Sequence, residues 1–487
     1  MLIFKRYSSG LRKSITFSES YKIWHDAVTK QNNLKSIQDE MVNKYVAKDN
    51  NTNNIDVTSI SNEIGDGQIV NEIRISKSNL KSNLKARSHS NHLVMLHGFG
   101  ASSLWYYKNM VEIITNSNGI DVINALDLPG SGLSSGFDRN LAVESIPNTY
   151  KVDYNDKSWV SLQTKDNYEK FLDLPSNFQI DKEIYLKYIK NQQESIESIE
   201  NEYVDRIENW RKLNNVDRFD FLGHSFGSYI GLIYSIKYPH RVKNLALVSP
   251  LGLERSPYAI TNTELINSAE KFVEYETSID PLKYSFLNKS FRVSKKNKKF
   301  HKFHKFHKFT KLLQDYFFQR YFEKIKIKSL CKILGPIGPK LLSFKIFKDF
   351  VRPNGGFNVT GTGSNNDINE LKLFLSYIYN TIISKNFNEI NMKKILNLNL
   401  LAKYPIVDRK FSKDIQNNNG EKKLLIIYGK FDWTLSEGGY GLIEKLTRDK
   451  IFQQGQVKTI ENAGHNSFID NSKEFNETIS NFFSSKK

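Results

Sequence analysis

Three residues far apart in this chain form a set that can activate a hydroxyl: Ser225, Asp432 and His465. A serine hydroxyl is a poor nucleophile at neutral pH, so a histidine must take its proton as it attacks. The imidazole then carries a transient positive charge and must present one tautomer. A carboxylate behind it supplies both the orientation and the counter-charge. Ser225 is the centre of the pentapeptide Gly223-His224-Ser225-Phe226-Gly227, a G-x-S-x-G pattern, His465 follows Ala463-Gly464, and Asp432 ends Gly429-Lys-Phe-Asp. Glu254 is a second candidate for the acid, and the sequence leaves the choice open. The chemistry such a set performs is attack on an acyl carbon through a tetrahedral oxyanion, which needs N–H donors. The turn His97-Gly98-Phe99-Gly100 offers the N–H of Phe99, and the residue after the serine offers that of Phe226.

Positioning these groups requires strands that end beside one another. The pentapeptide lies between Phe219-Asp-Phe-Leu, a strand pattern, and Ser228-Tyr-Ile-Gly-Leu-Ile-Tyr-Ser-Ile, a helical one. A strained strand-to-helix turn pushes the serine hydroxyl out of the sheet edge, small glycines let neighbouring backbone approach, and the helix N-terminus favours developing negative charge. His92-Leu-Val-Met-Leu runs into the His97 turn, and Asp121-Val-Ile-Asn-Ala-Leu runs into a Pro/Gly loop at 127–134. Leu424-Leu-Ile-Ile-Tyr precedes Gly429, and Val457-Lys-Thr-Ile precedes Ala463. The order serine, acid, histidine, each after a strand, is that of the α/β-hydrolase triad. It predicts a mostly parallel central sheet flanked by helices.

The length of 487 residues exceeds what such a core needs. The predicted division is a targeting segment over 1–20, a polar, partly disordered linker over 21–67, a first core part over 68–250, a basic lid over 251–420 and a second core part over 421–487. Gln68-Ile-Val-Asn-Glu-Ile-Arg-Ile alternates as a strand would and opens the first core part. Within that part a charged insertion covers about 137–190. A helix follows, with Ile196, Ile199, Tyr203, Ile207 and Trp210 at helical spacing. The first 18 residues hold Lys5, Arg6, Arg12 and Lys13, no acid, and alternating hydroxyl and apolar residues. They lack the continuous apolar stretch of a secretory signal and read as a mitochondrial transit peptide. No run approaches the 18 apolar residues of a membrane-crossing helix. The single cysteine, Cys331, excludes an intramolecular disulfide framework.

Charge is concentrated in the lid. Residues 291–350 hold 17 Lys plus Arg against 3 Asp plus Glu, so this stretch supplies most of the chain's net +18. Its aromatic residues interleave with the cations in Lys299-Phe-His-Lys302-Phe303-His-Lys305-Phe306-His-Lys308-Phe. Each lysine near an anionic bilayer adds ~1 kcal/mol of attraction, and phenylalanine enters the acyl boundary. The expected partner is therefore an anionic phospholipid surface. No nucleic-acid recognition module accompanies the basic stripe, and His301, His304 and His307 lack a carboxylate or thiolate to complete a metal site. Neither nucleic acid nor a metal or other cofactor is expected. Cys331-Lys-Ile-Leu-Gly-Pro-Ile-Gly-Pro-Lys-Leu-Leu reads as a Gly/Pro hinge between short apolar helices.

Further motifs narrow the reading. They are Tyr203-Val-Asp-Arg-Ile-Glu-Asn-Trp-Arg, Tyr238-Pro-His-Arg-Val, Ser249-Pro-Leu-Gly, Leu334-Gly-Pro-Ile-Gly-Pro and His465-Asn-Ser-Phe-Ile-Asp470, an H-x4-D pattern. With the pentapeptide and the basic start, they resemble the α/β-hydrolase-fold lipid enzymes, in particular the fungal mitochondrial cardiolipin-specific deacylases. The resemblance covers about 90–250 and 420–487. It implies removal of a fatty acyl chain from cardiolipin to give monolysocardiolipin, at the matrix face of the inner membrane. Two alternatives stand beside it, acyl transfer to a lysophospholipid on the same triad and a lipid-binding scaffold whose triad is silent; the resemblance also implies that members lacking the serine act as co-activators. Ser225 is retained here.

Overall fold

A computed structural model describes residues 14–31, 33–47, 54–78, 90–137, 151–154, 158–161, 177–255, 259–262, 267, 272–276, 327–352, 355–356, 365–387, 390–396, 400–411 and 422–484. The lid residues Lys299, Lys302, Phe303, Lys305, Phe306 and Lys308, and the histidines among them, lie outside these ranges.

The strands at 92–96, 122–126 and 219–224 are buried along their whole length, which is why they read as continuous apolar runs without alternation. They belong to one eight-stranded sheet made of β1 (Ile55–Glu63), β2 (Ile69–Lys77), β3 (His92–Leu96), β4 (Val122–Leu126), β5 (Phe219–His224), β6 (Val242–Val248), β7 (Lys423–Gly429) and β8 (Gln454–Ile460). The spatial order is β1-β2-β4-β3-β5-β6-β7-β8. β2 runs antiparallel to both β1 and β4, and every later neighbouring pair is parallel. This is the α/β-hydrolase arrangement, as expected from the order of the motifs.

Side chains alternate across the sheet and feed two apolar cores. Leu93, Met95, Ile123 and Ala125 face one, and Val94, Leu96, Phe219 and Phe221 face the other. The second core is covered by α4 (Lys182–Leu213), α5 (Phe226–Lys237) and α9 (Ser436–Arg448), with Ile196, Ile199, Tyr203, Ile207 and Trp210 buried as their spacing predicts. Helix α4 begins at Lys182, so it takes over the last residues of the charged insertion expected over 137–190. The first core is covered by α3 (Met110–Asn116), α10 (Ser472–Phe483) and helices of the β6–β7 insertion, α7 (Ile337–Phe350) and α8 (Asn365–Ile383). A short helix, α6 (Ile327–Ile333), precedes α7, and the turn between them contains Gly335 and Pro336. Among the described residues, no helix is long and apolar enough to cross a membrane.

The N-terminal region departs from expectation. The stretch read as a linker over 21–67 contains most of α1 (Phe17–Thr29), all of α2 (Asn33–Met41) and the first strand, β1. Ile37 and Met41 reach the first core. The targeting boundary at residue 20 likewise cuts into folded chain. Ile15 is fully buried, and Thr16 caps α1 through a reciprocal capping box with Glu19. Polar composition concealed these elements because few apolar residues, correctly spaced, suffice to dock a helix on an existing core.

Candidate active site

The loop from β5 into α5 turns so sharply that Ser225 takes φ +53° and ψ −113°. A side-chain-bearing residue holds such a backbone only when its surroundings impose it. Here the Ser225 N–H donates to the Val248 carbonyl at 2.8 Å, pinning the turn to β6. The glycines are required by proximity. A Cβ on Gly227 would lie 2.4 Å from the Leu96 carbonyl oxygen, and one on Gly223 would lie 2.6 Å from the Gly227 oxygen.

His465 and Asp432 come from the loops after β8 and β7. Gly429 lies so close to the histidine loop that a Cβ would approach the Gly464 oxygen to 2.1 Å. The Phe431 N–H also donates to the Ala463 carbonyl at 2.8 Å. The two loops are thus laced together. His465 Nε2 lies 3.0 Å from Ser225 Oγ, and His465 Nδ1 lies 3.0 Å from Asp432 Oδ1. Asp432 is buried, which opposes its charge. The facing His465 and hydrogen bonds to it, with the Thr434 N–H, nonetheless hold its carboxyl below the usual range. An ionised Asp432 fixes Nδ1–H as donor and leaves Nε2 to accept the Ser225 proton.

Glu254, the open alternative, is not the partner of His465. It accepts from the Leu435 N–H at 3.4 Å. Burial, with the charges of Asp432 and Glu437 nearby, pushes its carboxyl up to about 7.

The remaining motif residues frame this relay. A Cβ on Gly98 would lie 3.1 Å from Ser225 Cβ, so the His97 turn abuts the serine. Gly100 takes φ +71° in that turn. His97 donates from Nδ1 to the Gly98 carbonyl at 2.7 Å and accepts the Leu128 N–H at Nε2 at 2.9 Å, tying the turn to the loop after β4. Burial lowers its pKa, which suits a neutral ring in that tautomer. Phe226 is the first residue of α5, where an N–H has no acceptor within the helix. The Phe99 ring meets Phe387, just past α8 in the insertion, at 5.8 Å between centroids, so apolar cap residues adjoin the site. Asp470 accepts the Gly464 N–H at 2.7 Å and braces the loop that presents His465.

Two residues that the sequence offers only as parts of motifs act here as positioning groups. His224 donates from Nε2 to the His465 carbonyl at 3.0 Å, and the Ser249 hydroxyl donates to the same oxygen at 3.1 Å. Burial keeps the His224 ring well below its ordinary pKa, hence neutral. The available signal was position: His224 is the last residue of β5 and Ser249 the first after β6.

Comparison with known proteins agrees with this geometry. A family model described as the α/β-hydrolase fold matches residues 91–326. The chain is 27% identical to Protein ECM18 of Saccharomyces cerevisiae over 398 residues, 80% of this chain and 70% of that one. It is 26% identical to 1-acylglycerol-3-phosphate O-acyltransferase ICT1 of the same yeast over 396 residues, 80% of this chain and 81% of that one. It is also 26% identical to a 1-acylglycerol-3-phosphate O-acyltransferase of Arabidopsis thaliana over 285 residues, 58% of this chain and 54% of that one.

Proposed function

For this chain, an α/β-hydrolase-fold protein related to lipid acyl enzymes, we propose serine-dependent cleavage of a fatty acyl ester of a phospholipid. The observation that carries the reading is the relay of two 3.0 Å contacts, Ser225 to His465 to Asp432, on a strained elbow. Ser225 Oγ attacks the ester carbonyl while His465 Nε2 takes its proton, and Asp432 steadies the imidazolium. The oxyanion accepts hydrogen bonds from the N–H groups of Phe99 and Phe226. Collapse breaks the bond to the glycerol oxygen, which leaves with the proton from His465, and an acyl ester remains on Ser225. Water, deprotonated by His465, then adds to that ester, and fatty acid and free serine result.

The substrate proposed first is cardiolipin, giving monolysocardiolipin. The basic segment at 291–350 and the resemblance of the motifs to those of cardiolipin deacylases support it. The acid-free basic start supports an address at the matrix face of the mitochondrial inner membrane. A second reading has its own support, because two of the relatives are named 1-acylglycerol-3-phosphate O-acyltransferases. In it, a lysophospholipid hydroxyl replaces water in the second step.

Lipid mass spectrometry on mitochondrial-lipid vesicles tests both readings, with Ser225→Ala as control. The first expects cardiolipin loss matched by monolysocardiolipin and free fatty acid, absent in the variant. Added lysophospholipid that gains an acyl chain while free fatty acid falls favours the second. No Ser225-dependent change in any lipid, with no fluorophosphonate labelling, overturns both.

A further inference from the structure

Helix α7 is apolar on two opposite sides. Ile346, Phe347 and Phe350 point into the first core beside the buried Ser343. Ile337, Leu341 and Phe344, spaced i, i+4, i+7, form a second stripe roughly half a turn away, and it is exposed. A helix apolar all round is normally enclosed. The adjoining helix α6 also exposes Leu330 and Ile333, the latter 83% exposed.

The neighbouring helix repeats the pattern. In α1, Phe17, Tyr21 and Val28 are exposed at i, i+4, i+11, with the half-buried Trp24 between them, and the Tyr21 and Trp24 rings lie 5.7 Å apart. The two helices are bound together. The Ser20 hydroxyl donates to the Pro336 carbonyl at 2.5 Å, the Ile15 N–H donates to the Ser343 hydroxyl at 3.3 Å, and Lys340 Nζ donates to Ser14 Oγ at 2.9 Å and to the Ile15 carbonyl.

The charge around this apolar ground is predominantly positive. Lys328 and Lys332 lie on α6 and Lys340 and Lys345 on α7, and the one acid of these two helices is Asp349, in the last turn of α7. The acids of α1 are already paired, Glu19 with Lys372 at 2.6 Å and Asp26 with Lys30 at 3.0 Å. Large exposed apolar side chains ringed by lysine match the boundary of an anionic bilayer, where the apolar groups leave water and the cations meet lipid phosphates.

We propose that α6, α7 and α1 form a docking surface for an anionic lipid bilayer, through Leu330, Ile333, Leu341, Phe344, Phe17 and Tyr21. The inference rests on the proposed lipid chemistry only for its choice of lipid. Its position has a consequence. Helix α7 leads toward α8, after which Phe387 meets the Phe99 turn, so a bilayer held on this face adjoins the part of the cap that borders Ser225.

The test is flotation with phosphatidylcholine vesicles, with and without cardiolipin, using Ser225→Ala protein so that binding is read without any reaction. Replacing Leu330, Ile333, Leu341 and Phe344 together by Gln should lower binding to cardiolipin vesicles by about tenfold or more. Lys332→Gln with Lys345→Gln should erase the preference over neutral vesicles. Single Ile333→Gln and Phe344→Gln variants, each with an unchanged unfolding midpoint, should each give part of the loss. Undiminished flotation of the fourfold variant overturns the proposal. So does a wild-type dimer in sedimentation velocity that the same substitutions dissolve, since a second copy would then cover the face. A protein that docks as expected yet cleaves no lipid keeps this surface and refutes only the proposed chemistry.

Discussion

The choice between Asp432 and Glu254 is decided by which carboxylate meets His465 Nδ1, and the two predict different phenotypes. Asp432→Asn should lower kcat on an ester substrate by about 10³–10⁴-fold, because the amide no longer enforces the productive tautomer. Glu254→Gln should keep turnover of the same order, so steady-state kinetics of the pair separates the roles. Glu254 should instead report in stability. Its carboxyl rises from an ordinary 4.5 to about 7 in the folded protein. Between those values the unfolded chain has lost the proton and the folded chain keeps it. Stability therefore falls as pH rises through this window, by up to about 3 kcal/mol, and levels off above it. Urea unfolding at pH 5 and pH 8 should show Glu254→Gln gaining on wild type at the higher pH. Parallel pH dependence of the two proteins would remove this account of Glu254.

Elements carry the site to within hydrogen-bonding distance, and the glycines between them set the approach. Gly429→Ala would place a Cβ 2.1 Å from the Gly464 oxygen, so the loops bearing Asp432 and His465 must part. Activity should fall by at least about 10²-fold, as misplacement by an ångström does, with a lowered melting temperature. The N-terminal helix makes a separate prediction. Thr16→Ala should cost about 1 kcal/mol through loss of the α1 cap, and deletion through Ser20 far more than deletion through Lys13, both read by thermal unfolding. The contrast explains what the sequence made legible. The elbow, the His97 turn, Asp432 and His465 were readable because each is a short motif at the end of an apolar strand. The hydrogen bonds from His224 and Ser249 to the His465 carbonyl were not, because they join residues more than 200 apart and depend on the order of strands in the sheet. Helix α1 was hidden although its Thr-x-x-Glu capping box stood in the sequence, because the basic stretch before it was read through to residue 20.

Over the whole molecule, a long insertion must leave and rejoin the core without disturbing the elbow, and its two ends are fastened to do so. Arg255 at the start pairs with Asp408 near the end through Nε at 2.7 Å, and the Thr261 hydroxyl donates to the same carboxylate at 2.5 Å. The Ile406 N–H donates to the Gly252 carbonyl at 3.0 Å. Arg409, which follows Asp408, is buried and grips Glu200 of α4 with two bonds of 2.8 and 2.6 Å, while a third reaches the hydroxyl of Tyr229 on α5 at 3.1 Å. Joining the ends leaves the core indifferent to the length between them, since closure entropy grows only slowly with loop length. These bonds tie the neck to α4 through Glu200 and, through Tyr229, to α5, the helix that follows the serine. Arg409→Met should therefore cost about 3–5 kcal/mol, because Glu200 keeps the Tyr229 hydroxyl as a donor but loses its countercharge in the core. Replacing both Arg409 and Glu200 by Met should return most of that stability. A denaturation cycle over the four proteins measures the coupling. A single variant within about 1 kcal/mol of wild type would mean that the Tyr229 hydroxyl or water suffices for Glu200, and that the Arg255 and Ile406 bonds hold the neck without Arg409.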